Sequence, residues 1–103
     1  MLAILMKEIC AYILYSVKLD KYYIGACQDE LQKRIDNHNS SFYGSKTFTS
    51  NASDWILYLK IETQDYAHAI RIERKIKSMK SRVYIENLKK YSELVEKVFN
   101  NTL

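Results

Sequence analysis

The stretch CAYILYSVKLDKYYIGACQD, from Cys10 to Asp29, contains two short apolar runs on either side of the polar segment KLDK. Ile, Tyr, Val and Leu dominate both runs, and these residues are typical of β-strands. Two such runs joined by a polar tetrapeptide predict a β-hairpin over residues 9–17 and 21–27. The hairpin contains four of the nine tyrosines in the chain, so these phenols either pack a core or carry chemistry.

The four tyrosines divide between the two faces of the predicted hairpin. The four-residue loop pairs Val17 with Tyr22, and directly opposed residues share one face of a sheet. This register places Tyr12 and Tyr23 on one face and Tyr15 and Tyr22 on the other. Tyrosines in strands are usually half-buried packing residues, so packing is the alternative to chemistry for each of them.

Gly25 lies beside these tyrosines in the second strand. Glycine is scarce, with only two in the whole chain, and proline is absent. A bare backbone within a strand lets another group approach closely. We therefore expect Gly25 to leave room for a bound group.

The segments after the hairpin predict helices around one further strand. In chain order the predicted elements are a helix over 29–39, a loop over 40–54, a strand over 55–62, a helix over 65–80 and a helix over 83–99. Asp29 is the expected N-cap of the first helix, and Thr63 or Asp65 that of the second. The order β-β-α-β-α-α predicts an α+β fold, a small three-stranded antiparallel sheet flanked by helices.

Length and composition predict one domain with one modest core over residues 1–103. The apolar stretch at residues 1–6 meets Lys7 at once, so it is too short for a signal-peptide core or a membrane span. A cytoplasmic protein is therefore expected. The two cysteines match no zinc spacing and are expected to be reduced strand thiols.

A basic cluster follows the predicted third strand. Six positive charges lie between residues 71 and 82 with a single acid among them, although the net charge of the chain is only +4. The cluster consists of Arg71, Arg74, Lys75, Lys77, Lys80 and Arg82. A polyanion is the natural partner of such a cluster, and a solvated helix face is the alternative.

Arg34 and His38 share the arc of the first helix on which Leu31 and Ile35 pack. An arginine held on the packed side needs an acceptor, and a phosphate would serve. The alternatives are a structural ion pair for Arg34 and a contact with the helix dipole for His38.

Glu73 is the one acid within the basic cluster, at the rim of an apolar stripe that includes Ala69, Ile72 and Ile76. Burying a carboxylate beside apolar groups is costly unless a cation or a donor compensates. A single carboxylate suits Mg²⁺, which keeps most of its waters and takes further ligands from substrate phosphate. A salt bridge to a nearby arginine or lysine is the alternative.

Over roughly residues 9–90 the chain resembles the GIY-YIG nuclease family. The resemblance rests on one set of residues in the family's order: Tyr12, Tyr23, Gly25, Arg34, His38 and Glu73. The second half-motif is intact as Tyr23-Ile24-Gly25, whereas Cys10-Ala11-Tyr12 stands where the family has Gly-Ile-Tyr. Arg34 follows eleven residues after Tyr23, and a glutamate follows on the expected helix. The approach SKTFT to the third strand resembles short stand-alone members related to the nuclease domain of the excision-repair incision subunit.

The resemblance implies a divalent-metal-dependent endonuclease that hydrolyses phosphodiester bonds in DNA. It implies that Glu73 binds Mg²⁺ or Mn²⁺ and that Arg34 contacts the scissile phosphate. Tyr23 is the implied general base for water, with Tyr12 beside it, and His38 could orient Tyr23 or protonate the leaving oxygen.

Each residue expected to contact nucleic acid is positively charged, except Gly25, which has no side chain. These residues are Gly25, Lys46, Arg71, Arg74, Lys75, Lys77 and Lys80. DNA is the expected partner, with RNA left open, no membrane contact and a protein partner conceivable for targeting. A monomer that serves DNA repair or recombination is favoured, and selectivity for branched DNA stays open.

Departures from the family pattern keep two other functions open. Some family members have a lysine directly after Tyr-Ile-Gly, where this chain has Ala26, so Lys46 from the long loop is the candidate replacement. A nucleic-acid-binding module of the same fold that is weak or inactive in catalysis is the main alternative. A subunit that binds a partner protein through the apolar stripe of its last helix is the third.

Overall fold

The computed structural model describes residues 7–103, so the apolar stretch at residues 1–6 lies outside the described residues. Its elements are β1 (Cys10–Ser16), β2 (Lys21–Cys27), α1 (Leu31–Asn39), a 3₁₀ helix (Phe48–Asn51), β3 (Ile56–Glu62), α2 (Tyr66–Met79), α3 (Arg82–Lys90) and α4 (Ser92–Asn101). The strands form one antiparallel sheet in the order β2-β1-β3. The predicted α+β fold is confirmed. None of the described helices is long and apolar enough to cross a bilayer.

The central strand β1 is buried on both faces, which explains why its sequence is a nearly continuous apolar run. On one face the core is formed chiefly by Tyr12, Leu14, Leu31, Ile35 and Trp55. On the other face it is formed chiefly by Ile13, Ile72, Ile76, Leu88 and Val98. Helix α1 therefore covers one side of the sheet, and α2 to α4 cover the other.

The register of the hairpin differs from the predicted one by two residues. Ser16 pairs with Lys21 and Tyr12 pairs with Gly25, so the predicted pairing of Val17 with Tyr22 is wrong. A shift of one residue would exchange the faces, whereas a shift of two preserves them. The predicted division of the tyrosines between the two faces is therefore confirmed.

A contact from outside the hairpin fixes its loop at residues 17–20. The Ser16 hydroxyl donates to Oδ1 of Asp54 at 2.6 Å, and the Lys18 backbone N–H donates to Oδ2 at 2.9 Å. Asp20 closes the loop with φ of +52°, a left-handed conformation that aspartate tolerates. Asp54 is distant in sequence, so the hairpin residues alone could not reveal this register.

The helix ends follow the prediction in one case and depart from it in another. Asp65 caps α2 by accepting a hydrogen bond from the His68 backbone N–H at 2.8 Å. Asp29 does not cap α1, because the N-cap is Glu30, which makes no side-chain capping bond. The Asp29 carboxylate instead accepts from the side chains of Arg34 and Cys27.

The predicted single helix over residues 83–99 is two helices, with a break at the extended residue Tyr91 (φ −121°, ψ +107°). At about 100° per residue, a continuous helix would place Leu94 and Val98 on roughly the opposite face from Ile85. The break lets α4 fold back, so that Val98 joins Ile85 and Leu88 in one core. Local spacing within each half suggested a helix correctly, but the packing of the halves decided the break.

Candidate active site

Tyr12 lies at the centre of the sheet with its ring almost fully buried, at 1% exposure. Gly25 is its direct partner on β2, and a Cβ atom built there would lie 2.5 Å from Cζ of Tyr12. The space at Gly25 is therefore taken up by the Tyr12 ring. This differs from the expectation that Gly25 leaves room for a bound group.

A chain of hydrogen bonds ties Tyr12 to the long loop through His38. The Tyr12 hydroxyl lies 2.9 Å from Nε2 of His38, and the Nδ1 atom lies 2.9 Å from the Thr49 hydroxyl. Burial, with a contribution from the Arg34 charge, lowers the pKa of His38 to about 4. The imidazole is therefore neutral at pH 7 and links two hydroxyls. It holds no additional proton for a leaving oxygen, so we favour the orienting role.

Tyr23 is half-buried among aromatic rings on the same face of the sheet. Its ring centroid lies 4.7 Å from that of His38, 6.4 Å from that of Phe48 and 6.4 Å from that of Trp55. Within residues 7–103 its hydroxyl makes no side-chain hydrogen bond, whereas those of Tyr12, Tyr15 and Tyr22 each do. The Tyr23 ring is therefore packed against its neighbours, while its hydroxyl remains available to contact a ligand.

Charged groups from two helices act on the Tyr23 phenol. Burial raises its pKa, and Glu73 and Tyr43 raise it further, while Lys77 and Arg34 lower it. The net effect is a raised pKa, so the phenol is neutral at pH 7. Side chains of both α1 and α2 thus lie near enough to Tyr23 of β2 to act on its phenol electrostatically.

The Arg34 guanidinium faces this cluster from α1 with 27% of its side chain exposed. Its Nε atom donates to Oδ1 of Asp29 at 3.3 Å, so the structural ion pair considered above is present. Burial lowers its pKa, but the phenols of Tyr43 and Tyr12 and the Asp29 carboxylate raise it more. The guanidinium is thus a fixed positive charge beside two phenols, available to a further anion through its partly exposed face.

Glu73 faces the cluster from α2, and its side chain is 17% exposed. The Lys77 ammonium lies 2.5 Å from its Oε1 atom one turn later, so the salt bridge considered above is also present. No group of three or more His, Cys, Asp or Glu side chains forms a metal cage within residues 7–103. A cation at Glu73 would therefore complete its shell with water or substrate oxygens, which fits Mg²⁺.

The basic cluster splits between two flanks of α2. Lys77 and Lys80 lie on the Glu73 flank, where they line a groove beside β2. Arg71 lies on the other flank, where its Nε atom donates to the Thr102 carbonyl at 2.6 Å. The expectation that all these cations face one bound nucleic acid is therefore too broad.

Two of the three further basic residues lie away from this groove, and the third is paired with acids. Lys75 lines a separate groove with Lys97 of α4. Arg82 pairs with Asp20 and with Glu86, which balances its charge. Arg74 is exposed, and by its helical position it points away from the sheet. Lys77, Lys80 and Arg82 line the groove beside β2, and the charge of Arg82 is already paired there.

The loop over residues 40–54 contributes site residues that the sequence reasoning missed. Its Tyr43 ring centroid lies 4.8 Å from that of His38, Phe48 packs on Tyr23, and Thr49 holds the imidazole. The signal was the set of aromatic residues in an otherwise polar loop. Lys46, expected to reach the site, has an exposed side chain on this loop and makes no ion pair within the described part of the chain.

Comparison with protein-family models matches residues 8–91 to the GIY-YIG catalytic domain. The matched span contains every site residue described above, from Tyr12 to Glu73. Searches of curated proteins and of solved structures find no match to this chain.

Proposed function

The chain belongs to the GIY-YIG catalytic-domain family, a family of nucleases, and from this premise we propose that it is a divalent-metal-dependent endonuclease acting on DNA. The observation that carries the proposal is that the Tyr23 ring packs on His38, with 4.7 Å between the ring centroids, while the charges of Arg34 and Glu73 lie near enough to act on its phenol. Tyr23 has an open hydroxyl, and both Arg34 and Glu73 act on it electrostatically. Metal-assisted phosphodiester hydrolysis can use a proton acceptor, a cation that contacts the phosphate and a carboxylate that binds the metal ion.

Arg34 is the proposed phosphate ligand. Its guanidinium is fixed by Asp29 and keeps its charge, so it can donate to phosphate oxygens without a large reorganisation. A donor already in place stabilises the charge that develops on the phosphate as the water attacks. The same charge lowers the pKa of the nearby phenols and so assists proton transfer to them.

Tyr23 is the proposed acceptor of the proton from the attacking water. Its raised pKa makes a free phenolate scarce at pH 7, so the phenol acts as a relay that takes up the proton of the attacking water while its own hydroxyl proton passes to an oxygen of the substrate phosphate. Tyr12, buried and bonded to His38, is a positioning residue in this scheme. It fixes His38, and the imidazole packs against the Tyr23 ring.

Glu73 is the proposed ligand for Mg²⁺ or Mn²⁺. A bound cation would polarise a water molecule and neutralise charge on the phosphate. The Lys77 ammonium contacts Oε1 of this carboxylate. When a metal ion binds, the ammonium must therefore share the carboxylate with the ion or move away from it. We further propose that residues 1–103 act as one cytoplasmic domain and as a monomer in DNA repair or recombination.

A weak or inactive DNA-binding module of the same fold is the second candidate function. The position after Gly25, a lysine in some relatives, is the buried Ala26, and Lys77 already neutralises Glu73. In this case the protein would bind DNA with strong salt dependence but would not cut it.

The proposed function is tested with purified protein, Mg²⁺ or Mn²⁺ and branched, nicked and intact duplex DNA. Cleavage by the unaltered protein is expected, and Glu73→Gln should lower the rate by on the order of 10²-fold or more. The matched control is Glu86→Gln, which removes a similar carboxylate that pairs with Arg82 on the other face of the sheet. Equal cutting by Glu73→Gln and unaltered protein would refute the assignment, and salt-sensitive binding without cutting would establish the second candidate.

A further inference from the structure

An open groove of about 280 Å³ runs beside the candidate site, between the edge strand β2 and the junction of α2 and α3. The residues that matter here are Lys21 of β2, Phe48 of the 3₁₀ helix, and Lys77 and Lys80 of the α2 end. The catalytic scheme above uses neither Lys21 nor Phe48. Phe48 connects the groove with the candidate site, because its ring also stacks on that of Tyr23.

Phe48 presents an aromatic ring to solvent at the mouth of this groove. It is 42% exposed, and its ring is nearly parallel to that of Tyr23, with 16° between the planes and 6.4 Å between the centroids. Trp55 supports it from behind, with 5.9 Å between the ring centroids. The ring thus packs on two aromatic neighbours although it is exposed, and an exposed aromatic ring offers a surface on which a base can stack.

The groove carries an excess of positive charge. Lys21 and Lys80 form no ion pair within residues 7–103, and Lys77 has Glu73 as its acidic partner. The Lys21 ammonium lies 6.0 Å from the centroid of the Phe48 ring. No carboxylate lines the groove, so an anion could lie along it without repulsion from its walls. Cations beside an exposed aromatic ring are the combination that binds a nucleic-acid strand through its phosphates and bases.

We propose that this groove binds an unpaired nucleotide of the DNA strand next to the scissile phosphate. Phe48 stacks on the base, and Lys21 and Lys80 contact the adjoining phosphates. The base must be unpaired, because bases inside a duplex are stacked on both faces and cannot receive a protein ring. This inference rests on the proposed function and specifies its substrate as DNA with a single-stranded segment at the cleavage point.

Binding without metal tests this inference separately from catalysis. Fluorescence anisotropy in EDTA would compare a labelled single strand, a duplex with a single-stranded flap and a fully paired duplex, each with the intact protein. The single strand and the flap should bind more tightly than the paired duplex. Phe48→Leu, which keeps an apolar side chain, should weaken binding of the first two by roughly 5- to 30-fold and leave the duplex unchanged. Phe48→Trp, which keeps an aromatic ring, should bind the single strand and the flap about as tightly as the unaltered protein.

Lysine variants provide the matched control. Lys21→Ala should weaken binding of the single strand and reduce its salt dependence, whereas Lys97→Ala, on α4 at the other flank of α2, should change little. Equal losses on all three DNAs for Phe48→Leu, or no loss on any of them, would overturn the inference. Because no cleavage is measured, its failure is distinct from a failure of the proposed endonuclease activity. Circular dichroism of each variant shows whether it is folded.

Discussion

The two faces of one hairpin use the same residue types in different ways. On one face Tyr15 donates to Asp20 at 2.5 Å and Tyr22 donates to Glu86 at 3.2 Å, while Arg82 pairs with both acids. Every phenol and charge in that group therefore has a partner inside the protein.

On the other face the pairing is incomplete. Tyr12 is bonded to the neutral imidazole of His38, while the Tyr23 hydroxyl makes no side-chain hydrogen bond within residues 7–103. Arg34 has one acidic partner and remains partly exposed. The difference teaches that the same residue types can be fully paired on one face and only partly paired on the other, which is why we propose the second face as the site.

The close approach of Tyr12 to Gly25 offers the strongest way to disrupt the face of Tyr12 and Tyr23 alone. Gly25→Ala places a Cβ atom 2.5 Å from the Tyr12 ring in a fully buried position, so either the ring or the strand must move. We expect the free energy of unfolding to fall by about 3 kcal/mol, measured by urea denaturation with the fluorescence of Trp55.

A neighbouring substitution on the opposite face serves as the control for Gly25→Ala. Ile24→Val removes one methyl group from the other side of the same strand and should cost only about 1 kcal/mol. If Tyr12→Leu removes most of the Gly25→Ala effect in a double-mutant cycle, the ring is the cause. Additive losses in that cycle would contradict our explanation of Gly25.

Acidification should also affect the two faces differently. His38 has a folded-state pKa of about 4 against an ordinary value of 6.5, so the unfolded chain binds the proton first as the pH falls. The free energy of unfolding should therefore decrease between pH 6.5 and 4.5, by about 2 kcal/mol. On the other face, Tyr15 and Arg82 lower the pKa of Asp20 below 3.8, so its contribution is lost only at lower pH.

The histidine variant tests this assignment directly. His38→Gln cannot take up the proton, so most of the decrease between pH 6.5 and 4.5 should disappear, as measured by urea denaturation at the two pH values. An unchanged decrease in His38→Gln would assign the pH dependence to other groups and remove the argument for a neutral imidazole.

Sequence patterns predicted those parts of the fold that depend on local alternation. The two faces of the hairpin, the strand β3 and the Asp65 cap of α2 all follow from neighbouring residues. The register of the hairpin does not follow from neighbouring residues, because Asp54 holds the loop from outside the hairpin. The break at Tyr91 does not follow from neighbouring residues either, because it depends on α4 packing into the same core as α3.

The site was predictable where residues project from regular elements. Tyr23, Arg34 and Glu73 lie on the predicted elements β2, α1 and α2, and the charges of the latter two act on the Tyr23 phenol. The roles of Tyr43, Phe48 and Thr49 were not predictable, because a loop has no periodicity that fixes the directions of its side chains. The buried position of Tyr12 required knowing that Gly25 lies directly opposite it.

A matched pair of hydroxyl deletions tests the central claim, that incomplete pairing separates the reactive face from the structural one. We would measure the cleavage rate of flap DNA with Mg²⁺ together with the urea denaturation of Tyr23→Phe and Tyr22→Phe. Tyr23→Phe should lose on the order of 10²-fold in rate with nearly unchanged stability, because its hydroxyl acts only on substrate. Tyr22→Phe should keep its rate and lose about 1 kcal/mol of stability with its bond to Glu86. Equal rates in the two variants would contradict the account.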